Sequence, residues 1–240
     1  LVDAGLTEMR MGIQTAGERT KVLYKRPHSN EEVENAVVMV NDYKDKVKAY
    51  YDIILDSPWD IDQDAIETLM FLSKLPTPYK LNLFSLLFYP GTDLYRKAKK
   101  DGIVKDDIND IYRKHYHGCR PTYLNDLHFL LNDYVSIDVG ISPKLMSILV
   151  NKKMRKLKIS WVLFKILKIL NPFIAIIKSA QQAVKEMLKG NWFKVWSQMQ
   201  KWTRRKKARI GYEISLGFKK LTGNSNQPKI SIADDSQMGS

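Results

Sequence analysis

Between Glu8 and Lys100 the spacing of apolar residues switches repeatedly between a strand period and a helix period. Glu8 to Ile13 alternates weakly, as a short strand does when successive side chains point to opposite faces. Ser29-Asn30-Glu31-Glu32 has capping-box spacing, and Val33, Ala36, Val37 and Val40 then fall on one helical face that runs out in the charged stretch Asp42 to Lys48. Ala49 to Leu55 is an aromatic and branched run of strand length closed by Ser57-Pro58. Asp60 or Asp62 is placed to cap the next helix, which reaches Leu75 and is stopped by Pro76 and Pro78. Leu81 to Phe88 is nearly all apolar, the pattern of a strand covered on both faces, and Pro90-Gly91 turns the chain into a short helix over Asp93 to Lys100. The alternation of strand and helix predicts a parallel α/β fold.

Each predicted strand finishes in polar or turn-forming residues: Gly12-Ile13-Gln14-Thr15, Asp52 to Pro58, and Phe88-Tyr89-Pro90-Gly91-Thr92. Ligands of parallel α/β folds sit at the carboxyl ends of the strands, so these ends predict a site for a small polar ligand. A complete eight-unit barrel takes roughly 250 residues. The pattern here covers fewer than half of the 240 residues, about three units. Leu1 is not an initiator Met, and Leu-Val-Asp-Ala-Gly-Leu reads as a helix end running into a strand. Further strands are therefore expected ahead of Leu1, where they would cover an otherwise open strand edge.

Composition is globular, with 44% hydrophobic and 27% charged residues, which excludes wholesale disorder. The single Cys119 excludes an internal disulfide and a self-contained cysteine metal site. Scarce cysteine and the lack of a signal peptide at the start make the cytoplasm the expected compartment. His115, His117 and Cys119 would share one face of an extended strand, but Asp110 and His128 have no recognised spacing as a fourth ligand, so no metal site is assigned.

The net charge of +13 is concentrated toward the carboxyl terminus. Residues 152–220 hold nineteen Lys and Arg against Glu186 and Glu213, which leaves the remainder slightly acidic. Ile159 to Ile177 is apolar but interrupted by Lys165, Lys168 and a break at Asn171-Pro172, a poor match to a spanning helix of about 20 apolar residues. With Trp161, Trp192, Trp196 and Trp202 and the cluster Arg204, Arg205, Lys206 and Lys207, the segment suits a helix lying among anionic headgroups. RNA is the other acidic partner such a surface could meet, although an apolar helical run is a poor match to known RNA-binding appendages. The expected location is therefore cytoplasmic and peripheral to the inner face of the membrane.

The series Ala4-Gly5-Leu6, Gly12 to Thr15, Arg26, Tyr51-Asp52-Ile53-Ile54 with Ser57-Pro58, and Tyr89 to Thr92 resembles the latter half of a radical S-adenosylmethionine domain. It is most similar to the group that includes oxygen-independent coproporphyrinogen oxidases, methylthiotransferases and cobalamin-binding radical enzymes. The resemblance covers roughly the first hundred residues and implies the last three units of a partial (βα)6 TIM-like barrel. It implies that Gln14 meets the S-adenosylmethionine ribose, Arg26 the methionyl carboxylate, Asp52 the ribose hydroxyls and Ile54 the adenine.

A 4Fe-4S cluster, and in some members cobalamin, would complete the chemistry, which begins with a 5′-deoxyadenosyl radical. The cluster motif CxxxCxxC is absent, as is the glycine-rich stretch after the second strand, and Asp56 stands where relatives have Gly. This chain alone is therefore expected to be inactive, with the missing amino-terminal half as its partner and a hydrophobic or membrane-associated, lipid-like molecule as the substrate. The alternative is a non-catalytic membrane-surface or RNA-binding module. The expected organisation is a partial barrel over 1–117, a connection over 118–150, a basic amphipathic helical appendage over 151–222 and a disordered polar tail over 223–240.

Overall fold

Three parallel strands, β1 (Glu8–Gln14), β2 (Lys48–Leu55) and β3 (Lys80–Ser85), form an open sheet in the order β1-β2-β3. The structure is a computed structural model that describes residues 1–156, 158–193, 196, 197 and 200. Met11 pairs with Tyr51, Asp52 with Asn82 and Leu55 with Ser85, and the register shifts between Gly12 and Gln14. Parallel neighbours require crossovers. These are α1 (Glu18–Leu23) with α2 (Asn30–Asn41), and α3 (Asp62–Lys74). The mixed α/β class expected from the sequence is what forms.

Local chemistry sets the boundaries. The Ser29 hydroxyl accepts from Glu32 N while the Glu32 carboxylate accepts from Ser29 N, the reciprocal box that starts α2. Helix α3 is not capped by Asp60 or Asp62. Its N-cap is Ile61, whose backbone N–H donates to the Asp64 carboxylate at 2.8 Å. The helix stops where Leu75 takes an extended conformation, because the following Pro76 disfavours helical backbone there. Strand β3 ends at Ser85, three residues short of the expected Phe88, and α4 (Asp93–Lys100) begins under a Thr92 cap.

One face of the sheet is dry. Ile13, Tyr51, Ile53, Leu55, Leu81 and Leu83 are buried against Val37 of α2 and Leu69 and Leu72 of α3. The segment 118–150 is more than a connection. It holds α5 (Tyr123–Val135) and α6 (Pro143–Leu149), whose Leu127, Leu131, Met146 and Leu149 are fully buried in the same core. Helix α5 also closes the β3 edge, since Leu81 N donates to the Asn132 carboxamide at 2.8 Å and Tyr79 N to Val135 O at 3.4 Å. A second cluster of Leu86, Phe88, Ala98, Val104 and Ile111 lies beyond the strand ends.

The opposite face carries the even-numbered residues of β2 and β3. Tyr50, Asp52, Ile54, Asn82 and Phe84 are half-buried and Lys80 is exposed, as are Arg10 and Gly12 of β1. β3 is therefore covered on one face and not on both, and the alternation Leu81-Asn82-Leu83 records it.

After α7 (Lys152–Lys156) comes α8 (Lys158–Leu188), which runs as a single helix through the expected break at Asn171-Pro172. Leu167 and Ile174 pack against the main core, and the Tyr134 hydroxyl donates to Leu167 O at 2.7 Å. The chain divides into two compact units, Leu1–Lys178 and Ser179–Ser240. Among the described residues no helix is long and apolar enough to cross a membrane. The tail expected over 223–240 lies outside the described residues.

Candidate ligand site at the strand ends

Two strand ends turn through the same unusual backbone conformation. Gln14, closing β1, has φ of 65°, and Asp56, just past β2, also has φ of 65°. Left-handed backbone is costly for residues other than Gly and persists where the surroundings hold it. At Gln14 the holding group is Arg26, which follows α1. Its Nε donates to Gln14 Oε1 at 2.8 Å and its Nη2 to Gly12 O at 3.3 Å. Gly12 makes room for this: a Cβ there would lie 3.2 Å from Arg26 Nη2. The Arg26 guanidinium is thus engaged by Gln14 and Gly12.

Asp52 lies on the open face of β2, beside Asn82 on β3. The Asn82 carboxamide donates to Asp52 Oδ1 at 2.7 Å, and Arg10 of β1 approaches the same oxygen at 3.8 Å. Asp52 is thus not a carboxylate sealed in an apolar strand; its side chain is 26% exposed and keeps one oxygen for other partners. Ile54, two residues on, shares this face and packs against the second cluster. The four residues expected at the site therefore fall into a pair, Gln14 with Arg26, and two neighbours on the adjoining strand, Asp52 and Ile54.

Asp56 belongs to a different arrangement. Its carboxylate, 6% exposed, accepts from Arg120 N at 2.9 Å, Arg120 Nε at 3.2 Å and Asn125 Nδ2 at 2.8 Å. Burial raises the Asp56 pKa, but the hydrogen bonds from the Arg120 backbone, Asn125, Ser85 and the Arg120 guanidinium outweigh it and leave the carboxyl below its ordinary value. Asp56 ties the β2 end to the start of α5 and so fixes the floor on which the open face stands.

Tyr116 completes the third strand end, accepting from Ser85 N at 2.7 Å. Its ring, with that of His117, packs on Phe84, at centroid distances of 6.0 and 5.6 Å. A cleft of about 530 Å³ runs along this edge, lined by Arg10, Asn82, Phe84, Tyr116, His117 and Asn132 among others. His115, His117 and Cys119 do not lie on a strand, and among the described residues no three His, Cys, Asp or Glu gather to hold a metal. Burial first, and then the charge of Asp56, push the Cys119 thiol pKa up.

Arg10, Asn82, Arg120 and Asn125 escaped the sequence reading. The signal for Asn82 is its position between two leucines of an apolar strand, whereas Arg120 and Asn125 meet Asp56 only through the fold. Of the expected interfacial residues, Trp192 and Trp196 are exposed. Lys165 and Lys168 lie on α8 with side chains outside the described set, and Arg204, Arg205, Lys206 and Lys207 lie outside the described residues.

Fold and site together define a parallel α/β chain with a polar cluster at the strand carboxyl ends and one open sheet face. No protein-family model matches the sequence, and no curated protein matches it significantly.

Proposed function

We propose that this chain is the latter half of a radical S-adenosylmethionine barrel and that it holds S-adenosylmethionine along β1 and β2. The observation that carries the reading is the joining of Gln14 and Arg26 at the end of β1, on a sheet whose open face also presents Asp52 and Ile54. The open face would be the interior wall of the barrel, and β1 the edge that further strands extend.

The residues present fit that cofactor. Arg26 uses Nε and one Nη2 hydrogen internally, so its remaining N–H groups are suited to a carboxylate. The Gln14 carboxamide is fixed by Arg26 through its oxygen, which leaves its NH2 to donate to a hydroxyl. Asp52 accepts from Asn82 with one oxygen and has a second for a ribose hydroxyl, while Ile54 offers an apolar surface to a base. When bound, S-adenosylmethionine supplies the deoxyadenosyl group that a one-electron reduction releases as a radical. The chain's own residues bind and orient it.

An iron-sulfur cluster does not fit this chain. It requires three or four thiolate-type ligands, and the lone Cys119 sits where its thiol form is favoured. The cluster ligands therefore belong to another polypeptide segment in this reading, and no reduction is assigned to the residues described.

Calorimetric titration of S-adenosylmethionine into the chain tests the proposal. Binding is expected, weakened at least tenfold by Arg26→Ala and by Asp52→Asn, with far-ultraviolet circular dichroism unchanged. Absence of binding, or binding indifferent to both substitutions, overturns it.

A further inference from the structure

Helix α8 meets the core with one narrow face and leaves a broad apolar face uncovered. Leu167 and Ile174, seven residues apart, pack inward. Ile166, Ile169, Leu170, Phe173, Ile176 and Ile177 are 44% to 64% exposed. At the helical repeat these six fall on one contiguous arc, roughly a third of the circumference, beside the inward face. Six large aliphatic or aromatic side chains in one exposed stripe exceed the scattered apolar residues normal for a protein surface.

Charge identifies the occupant. From Lys152 to Lys189 the sequence has ten Lys and Arg and a single acidic residue, Glu186. Lys152, Lys153 and Lys156 on α7, which precedes α8, and Lys178, just past the stripe, are exposed. A second copy of this helix would bring this positive charge against itself. Nucleic acid would neutralise the charge but has no use for six exposed aliphatic and aromatic side chains in a row. An anionic bilayer surface satisfies both, because lysines meet the headgroups while the apolar arc enters the acyl boundary. The helix is not a span, as no described helix qualifies to cross a membrane.

We infer that the arc Ile166 to Ile177 of α8 seats this protein in the plane of an anionic lipid surface. The open sheet face plays no part in this inference, so it stands or falls independently of S-adenosylmethionine binding.

Flotation of the full chain with vesicles tests it, using phosphatidylcholine alone and phosphatidylcholine with about one-third phosphatidylserine. Binding is expected to be at least tenfold stronger to the anionic vesicles and to weaken on raising salt, as screening requires. The double substitution Ile169→Ser, Phe173→Ser should cut partitioning at least tenfold while circular dichroism and S-adenosylmethionine titration stay unchanged. A control at an exposed polar position away from the arc, Gln63→Ala, should leave it intact. The inference is overturned by equal binding to both vesicle types. It is also overturned by vesicle binding unaffected by the double substitution. Concentration-dependent dimerisation abolished by that substitution would assign the arc to a second copy instead, and retention of a single-stranded RNA oligomer without vesicle binding would assign the charge to nucleic acid.

Discussion

Asp56 provides the sharpest test of how the site is held. Among the donors that converge on its carboxylate, the Asn125 carboxamide is buried and the Arg120 guanidinium is largely exposed. The exposed guanidinium contributes little. Asp56→Ala leaves the backbone N–H of Arg120 and one N–H of the Asn125 amide, whose other N–H keeps Arg120 O, without an acceptor, a cost of about 2–4 kcal/mol. It also places Ala at φ of 65°, where left-handed backbone costs a further 1–2 kcal/mol or so.

Asp56→Gly loses the same hydrogen bonds without that backbone penalty, and the entropy of Gly in the unfolded chain takes back roughly half of the gain. The glycine variant should therefore be more stable than the alanine variant by about 1 kcal/mol. Asp56→Asn retains the shape but turns an NH2 toward one of the donors, so it should fall about 1–2 kcal/mol below the parent.

Urea unfolding followed by circular dichroism measures all three, and the expected order is parent, Asn, Gly, Ala. A glycine variant as stable as the parent would show that the hydrogen bonds contribute nothing. An alanine variant equal to the glycine variant would show that the conformation at residue 56 is not maintained. The pH dependence supplies an independent check of sign. The Asp56 pKa is depressed in the fold, so its stabilisation is fully present above the ordinary carboxyl value of 3.8 and is lost as pH falls through the lower folded value. The gap between parent and Asn variant should close over that acid range.

Three further outcomes follow from buried or crowded groups. His128 is fully buried, its Nδ1 lies 2.8 Å from Leu124 O, and its Nε2 has no hydrogen-bond partner; burial lowers its pKa from 6.5 to about 4. The unfolded chain then takes up the proton first, so acidification from pH 6.5 to 4 should remove about 3 kcal/mol of stability that His128→Leu does not lose, and parallel denaturation profiles would refute this. A Cβ at Gly17 would stand 3.1 Å from the Asp64 Cα, so Gly17→Ala must push α1 away from α3 and should lower stability by about 1–3 kcal/mol in thermal unfolding, an unchanged melting temperature being the contrary result. Gly12→Val should dislodge Arg26 and weaken S-adenosylmethionine titration as Arg26→Ala does with little loss of stability; full affinity in that variant would mean that the guanidinium finds its place without the glycine.

How far the sequence could be read depended on the distance between the groups that decide each feature. The Ser29 box, the proline stop after Leu75 and the Thr92 start of α4 are settled within a few residues, and all three could be placed from local chemistry. The α3 cap is not legible locally, because Asp64 reaches back to Ile61 from inside the helix while the nearer carboxylates at 60 and 62 stand where a cap is expected. Helix α5 was passed over as a connection although Leu124, Leu127, Leu130, Leu131, Tyr134 and Val135 keep a helical period; its reach into the sheet core, and the use of Asn132 to close an edge strand, depend on residues some fifty positions away.

The candidate site divides in the same way. A carboxylate in an apolar strand, such as Asp52, needs a partner, but that partner is on another strand and is found only where the register sets Asp52 beside Asn82. Asp56 is the reverse case. It occupies a position suited to glycine, and the chain satisfies the same left-handed turn with an aspartate whose carboxylate is anchored 64 and 69 residues away. What looked from the sequence like a departure that endangered the turn is, in the fold, the bond that holds the turn to α5. A substitution away from glycine at such a position is therefore informative only when the side chain that replaces it can be followed to what it grips.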